Sequence, residues 1–177
     1  TKPFMLLAGI SGTGKSRIVR EFAFKCCPKE LQDKDGTTPG NYCMIEVKPN
    51  WHDSTELLGY WSNLQEKYIF TKFVKFLVKA KMYPDVPFFV CLDEMNLAPV
   101  EQYFAEFLSA IESRSFEGEE YLTDPIIKPF NSFGEDVAKT MVNTLFPNFT
   151  AGDTESAIAK VIKHYRTRGL TLPKNLI

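Results

Sequence analysis

Short apolar runs alternate with amphipathic stretches along the first 114 residues of the chain. Three of the apolar runs have the length and composition of buried strands, and they cover residues 4–8, 42–47 and 88–92. Three stretches repeat apolar residues at helical spacing and predict helices over residues 15–26, 71–82 and 99–114. This alternation predicts an α/β domain whose parallel strands are joined by right-handed crossovers.

The pattern changes in the last third of the chain. A loop rich in Pro, Gly and Asn is followed by helical patterns near residues 135–145 and 154–168. Asp153 or Thr154 would cap the second of these helices, and Gly169 would end it. Upstream, the tetrad at residues 53–56 has capping-box spacing and predicts a short helix through Leu58.

Composition excludes several classes of protein. Hydrophobic residues make up 44% of the 177 residues and charged residues 24%, which is typical of one globular domain. A net charge of −1 gives no sign of a polyanion-binding protein. The four cysteines form no CxxC pair and no histidine lies at zinc spacing, so we expect reduced thiols and no zinc site.

The ends of the chain and its longest apolar runs bear on its location. We find no secretory signal, and the apolar runs are far shorter than the ~20 residues of a membrane span. The sequence therefore predicts a cytoplasmic protein with no membrane partner. Because the chain begins without Met and ends at Ile177 inside an apolar stretch, we expect a piece of a longer protein.

The loop between the first predicted strand and the first predicted helix carries the strongest chemical signal. Residues 9–16 match G-x-x-x-x-G-K-[ST] at every fixed position, in the strand–helix context that the motif requires. The glycines let backbone N–H groups surround a phosphate, Lys15 would neutralise the β- and γ-phosphates, and the Ser16 hydroxyl would bind Mg²⁺. A chance Gly-rich turn would not need Lys15 and Ser16. The predicted nucleotide-binding residues are Gly9, Ser11, Gly12, Thr13, Gly14, Lys15, Ser16 and Arg17.

Two acids follow the apolar run at residues 88–92. Asp93 and Glu94 would lie at the carboxyl edge of the sheet, where α/β proteins bind ligands. Asp93 would share the metal with Ser16, and Glu94 would accept a proton from the attacking water. A solvated strand end is the alternative, and the phosphate-binding loop upstream argues against it. The predicted catalytic residues are Glu94 and Lys15, and the predicted metal ligands are Ser16 and Asp93.

Residues 46–53 (EVKPNWHD), 57–60 (LLGY) and 92–98 (LDEMNLA) occur in that order between and after these motifs. With them the chain resembles an AAA+ ATPase module of the dynein-related, McrB-like branch, over residues 3–114 and poorly over 115–170. McrB proteins are the GTP-dependent motor subunits of modification-dependent restriction systems. The resemblance identifies Gly14, Lys15 and Ser16 with Walker A, Asp93 and Glu94 with Walker B, and Asn96 with a polar position after it.

The resemblance also implies an architecture. The fold would be a P-loop NTPase of AAA+ type, a parallel sheet in the strand order 5-1-4-3-2 flanked by helices, cut before its fourth strand. Residues 1–177 would form a single nucleotide-binding core, with residues 115–171 as a helical and loop insertion and residues 172–177 as the start of that strand. Sensor residues, arginine finger and lid would follow Ile177, so we expect weak or no turnover from this fragment.

Several functions stay open at this point. The resemblance implies Mg²⁺-dependent hydrolysis of ATP or GTP in a ring, a hexamer by family likeness, that moves DNA beside a McrC-like nuclease. The alternatives are a MoxR- or midasin-like protein remodeller, a nucleotide-gated assembly module with negligible turnover and, less strongly, a small-molecule kinase.

The aromatic residues Tyr60, Trp61 and Tyr68 would either line the pore of the ring or pack locally. The two histidines, His52 and His164, are isolated in sequence and predict no catalytic role.

Overall fold

The computed structural model describes residues 4–10, 12–33, 36–118, 120–149 and 156–177. Its helices are α1 (Lys15–Lys25), α2 (Thr55–Leu58), α3 (Lys72–Met82), α4 (Val100–Tyr103), α5 (Ala105–Glu112), α6 (Glu135–Leu145) and α7 (Ala157–Arg168). Its strands are β1 (Tyr42–Glu46), β2 (Gly59–Ser62), β3 (Lys67–Phe70), β4 (Phe89–Asp93), β5 (Ser115–Glu117) and β6 (Glu120–Leu122). No described helix is both long and apolar enough to cross a membrane.

Strands β1 and β4 form a small parallel sheet. Their register runs from Tyr42 opposite Phe89 to Glu46 opposite Asp93, and the Val47 N–H extends the ladder to the Asp93 carbonyl at 3.1 Å. Helix α1 packs on this sheet, where the rings of Phe22 and Phe89 meet edge to face. The predicted α/β class with a parallel sheet is confirmed.

The last residues of the chain lie along the other side of β4. Phe88 and Leu176 form a parallel bridge, the Phe88 N–H donates to the Asn175 carbonyl at 2.8 Å, and the Ile177 N–H donates to the Phe88 carbonyl at 2.8 Å. The strand that ends at Asp93 therefore has backbone partners on both sides of its first residues, and β1 pairs with it as far as Asp93.

Residues 4–8, predicted as a buried strand, belong to no strand. Met5 is 67% exposed and Leu6 is 70% exposed, so that prediction is wrong for this structure. The physical reason is pairing. An extended apolar segment becomes a strand only when a neighbour takes its backbone N–H and C=O groups, and no described strand lies beside it.

The helical predictions are largely confirmed, with two corrections. The helix predicted over residues 99–114 is divided at Phe104, whose φ of −117° is not helical, into α4 and α5. The last helix begins after Ser156, whose hydroxyl accepts the Ala159 N–H at 3.2 Å. The caps predicted at Asp153 and Thr154 lie outside the described residues, and Gly169 ends this helix as predicted.

Two antiparallel hairpins, β2–β3 and β5–β6, were not predicted. The first is joined to the rest of the protein through Gly59, which has a φ of 99°. A Cβ atom at Gly59 would clash with the backbone carbonyl oxygen of Ile69 on the opposite strand. This position therefore demands glycine for both its backbone conformation and its space.

Replacing Gly59 by alanine should destabilise the fold strongly. We expect the free energy of unfolding to fall by about 3 kcal/mol, because a left-handed backbone and a backbone clash coincide there. Gly134 is the matched control, since its φ is 93° and nothing lies within 4 Å of its Cβ position. Urea denaturation of both variants is the measurement, and equal losses would contradict the role of the clash.

The core lies between α3, the sheet and the helices that follow it. Phe73, Leu77 and Phe88 are fully buried there, and Phe73 packs against Phe107 of α5. The helical region of α6 and α7 joins this core through aromatic rings: Phe130 packs between Phe70 of β3 and Tyr165 of α7, with tilted rings at centroid distances of 6.3 and 5.8 Å.

Candidate functional site

The glycine-rich loop at residues 9–16 runs directly into α1. Gly12 and Gly14 have φ values of 81° and 82°, a left-handed backbone that side chains disfavour. Nothing lies within 4 Å of a Cβ atom built on either, so backbone conformation rather than space calls for glycine. Ser11 lies outside the described residues. Helix α1 has no side-chain cap and no acid in its first turn, which leaves its N-terminal N–H groups facing this loop.

Two side chains of the loop bind its own carbonyl groups. The Lys15 ammonium donates to the carbonyls of Gly9 and Ile10 at 3.0 and 2.9 Å, and the Thr13 hydroxyl donates to the Ile10 carbonyl at 2.8 Å. The cation therefore lies over the turn, beside the N-terminus of α1. This concentrates positive charge where the loop and the helix meet.

Ser16 and Asp93 come together across 77 residues of sequence. The Ser16 hydroxyl donates to one carboxylate oxygen of Asp93 at 2.9 Å, which joins the first turn of α1 to the carboxyl end of β4. Tyr42, at the start of β1, donates its hydroxyl to the Ser16 carbonyl at 3.4 Å. Burial, with Cys91 beside it, raises the pKa of Tyr42, so this hydroxyl keeps the proton that it donates.

Glu94 adopts an unusual backbone conformation. Its φ and ψ are 54° and 43°, a left-handed geometry that costs a non-glycine residue about 1–3 kcal/mol. It leads into a short 3-10 turn, Met95–Leu97, and the Tyr103 hydroxyl fastens this turn by donating to the Met95 carbonyl at 3.0 Å. The carboxylate that follows the strand is exposed. Glu94 has no side-chain hydrogen bond or ion pair among the described residues.

The oxygen ligands of this site fit magnesium. Ser16 and Asp93 offer one hydroxyl and one carboxylate, and the described residues contain no cluster of three His, Cys, Asp or Glu side chains. Mg²⁺ usually keeps several waters and takes the rest of its shell from one or two protein oxygens and substrate phosphates. A tightly caged cation such as Zn²⁺ would need more ligands than the described part of the chain brings here.

Arg17 lies apart from this cluster. Its guanidinium is 3.8 Å from the Glu21 carboxylate on the exposed side of α1. A surface groove of about 530 Å³ runs along that side, and Asp93 and Glu94 do not line it; its residues are Gly12, Thr13, Gly14, Arg17, Ile18, Glu21, Phe22 and Lys25. The structure therefore brings Lys15, Ser16 and Asp93 to one place and leaves Arg17 on a neighbouring surface.

Sequence reasoning missed the supporting residues of the site. Tyr42 opens an ordinary apolar strand and Tyr103 closes a short helix, and neither position carries a motif. Only the folded structure shows that one holds Ser16 and the other holds the turn after Glu94.

Comparison of the sequence with protein-family models and with curated proteins finds no match. The contacts within the site therefore indicate which chemistry it can perform. The bond between Ser16 and Asp93 carries most weight, because it unites two motifs that are distant in sequence.

Proposed function

We propose that this chain binds a nucleoside triphosphate with Mg²⁺ and hydrolyses it, as the nucleotide-binding core of a McrB-like AAA+ motor. The observation that carries the proposal is the 2.9 Å hydrogen bond between Ser16 and Asp93. In P-loop NTPases a Ser or Thr of the loop and an acid at the end of a neighbouring strand hold the metal together. In a Gly-rich turn that bound no metal, nothing would require Ser16 to lie beside Asp93.

The loop would bind the phosphates. The first N–H groups of α1 and the backbone of residues 9–14 supply donors, and the helix dipole favours negative charge at that end. Lys15 now occupies two carbonyl groups of the loop. A triphosphate is a stronger partner for an ammonium than a neutral carbonyl, so Lys15 would turn to the β- and γ-phosphates.

Ser16 and Asp93 would hold Mg²⁺, which supplies charge neutralisation at the phosphate oxygens when it is bound. Glu94, the next residue, would accept the proton of the attacking water. Its exposed carboxylate has no competing hydrogen bond among the described residues.

The sheet supports the AAA+ assignment. Residues 175–177, β4 and β1 lie side by side in that order, all parallel. In the strand order 5-1-4-3-2 this corresponds to strands 4, 3 and 2.

The substrate of the motor is proposed to be DNA, moved by a ring of this chain beside a McrC-like nuclease. The hairpin β2–β3 supports a gripping role, since Tyr60 is 55% exposed and Trp61 is 37% exposed. Exposed aromatic rings stack on bases of any sequence. The same rings also suit a polypeptide, so a MoxR- or midasin-like protein remodeller is the second candidate. Single-stranded DNA should stimulate hydrolysis by a DNA motor, and unfolded protein should stimulate hydrolysis by a protein remodeller. Both additions are tested with ATP and with GTP.

Replacing Ser16 by alanine tests the metal site. Binding of a fluorescent ATP or GTP analogue is measured with Mg²⁺ and with EDTA. We expect Mg²⁺ to strengthen binding to the wild type, and Ser16→Ala to remove about tenfold of that gain, because one charge-assisted contact contributes ~1.5–3 kcal/mol. Ser109→Ala, on the exposed side of α5, is the control. An unchanged response to Mg²⁺ in Ser16→Ala would contradict the assignment.

A further inference from the structure

Away from the candidate site, three polar side chains meet at the joint between α3 and α7. The Lys81 ammonium donates to the Thr171 hydroxyl at 2.7 Å and to Nε2 of His164 at 3.2 Å. The Thr171 hydroxyl lies 2.9 Å from the same imidazole nitrogen. Lys81 also lies 5.6 Å from the centre of the Tyr165 ring. Thr171 and Tyr165 are buried, and Lys81 and His164 are half-buried, so the cluster lies partly shielded from solvent.

The cluster tolerates only one positive charge. His164 must be neutral, with its proton on Nδ1, in order to accept at Nε2. Burial, reinforced by the Lys81 charge, lowers the pKa of His164 to about 4. Burial likewise lowers the pKa of Lys81 to about 8, although Glu120 opposes this shift. Arg168 adds to the positive charge around His164, and Glu120 of β6 is the acid that faces the group.

Lys81 has no carboxylate within ion-pair distance among the described residues. The neighbouring Tyr165 hydroxyl is buried without a hydrogen-bond partner in this structure. A buried cation without a counter-ion and a buried hydroxyl without a partner both reduce the stability of a contact. The polar contact between α3 and α7 therefore contributes little stability. The aromatic contacts of the core beside it have neither of these two defects.

The same joint anchors the segment that leads to the sheet. Asn175 lies four residues after Thr171. Its side-chain amide donates to the carbonyls of Tyr83 and Val86, which follow α3, at 2.8 and 2.7 Å. Before Thr171, Leu170 and Ile127 form an antiparallel bridge. Losing the cluster would thus free α7 on one side and residues 170–174 on the other, while residues 175–177 keep their backbone hydrogen bonds beside β4.

We propose that Lys81, His164 and Thr171 form an acid-sensitive latch: protonation of His164 places two positive charges side by side and releases α7 and residues 170–174 from α3, while the sheet, with residues 175–177 beside β4, stays folded. Proton binding and closure are linked, and this sets the direction of the pH dependence. A histidine whose pKa is lowered by folding binds fewer protons in the closed state, so closure is fully favoured above the ordinary pKa of about 6.5 and weakens as the pH falls toward 4.

The test is amide hydrogen exchange of the full chain at pH 7 and pH 5, corrected for the intrinsic pH dependence of exchange. The wild type should show roughly twentyfold faster exchange in α7 and residues 170–174 at pH 5, from the two pKa values of His164 in the open and closed states. Amides of β1 and β4 should not change. His164→Gln should remove the pH response of α7, and Lys81→Met should reduce it by removing the like charge.

A second measurement decides the matter even if a variant fails to fold. The chain has two histidines, so NMR titration of the imidazole C–H signals resolves both, and a His52→Asn variant assigns them. His164 should titrate near pH 4, at the acid end of the pH range over which exchange of α7 accelerates. Titration at the ordinary value, equal exchange of α7 at both pH values, or equal acceleration of every element would each overturn the latch.

Discussion

Replacing Lys15 by alanine is expected to weaken nucleotide binding by about 10²–10³-fold. The triphosphate would keep its negative charge in the loop and lose the cation that balances it, and an uncompensated buried charge costs ~3–5 kcal/mol. The loop itself should survive the change. Lys15 contributes two hydrogen bonds to exposed carbonyl groups, which water can replace.

The measurement is a titration with fluorescent ATP and GTP analogues in the presence of Mg²⁺. Lys75→Ala is the matched control, because Lys75 is an exposed lysine on α3, away from the loop. Circular dichroism of Lys15→Ala should match the wild type, so that lost affinity reflects lost charge. Equal affinity of Lys15→Ala and wild type would remove the phosphate-binding assignment altogether.

Glu94→Gln should abolish hydrolysis while leaving binding nearly unchanged, and Asp93→Asn should harm both. The two acids are adjacent, but Asp93 bonds Ser16 in the ground state whereas Glu94 has no such partner among the described residues. A group that acts only on the attacking water changes the rate of the step and not the affinity for the nucleotide. General base catalysis contributes about 10²–10⁴-fold, which is the expected loss for Glu94→Gln.

Phosphate release is followed for hours at saturating nucleotide. P-loop GTPases that lack an arginine finger turn over at roughly 10⁻⁴–10⁻³ s⁻¹, so even a slow wild-type rate is measurable. Glu101→Gln, an exposed acid in α4, serves as the control. If Glu94→Gln keeps full turnover while Asp93→Asn loses it, the residue that activates water lies elsewhere.

Local signals were sufficient for much of the fold. The helix after the loop, the β4 strand and α6 begin and end within about two residues of their predicted bounds, since each is specified by its own apolar spacing. The two motifs likewise predicted that Ser16 and Asp93 would meet, because one residue begins the helix after the loop and the other ends a buried strand.

Features that depend on partners far away in sequence escaped prediction. The apolar run at residues 4–8 reads as a strand, yet its state depends on a neighbour that no local pattern supplies. The hairpin β2–β3 depends on the close approach at Gly59, and a glycine gives no hint of what approaches it. His164 looks isolated in sequence because the lysine that it contacts lies 83 residues away along the chain.

On the proposal that Glu94 activates water, its left-handed backbone lowers stability at the position where turnover needs a carboxylate. Asparagine tolerates this conformation far better than glutamate does, so the fold alone would favour an amide there. Proteins commonly keep such locally unfavourable choices where an activity requires them, and stabilising replacements at those places tend to cost activity. Selection of this protein for thermal resistance alone would therefore drift toward a neutral side chain at position 94, and selection for turnover would restore the acid.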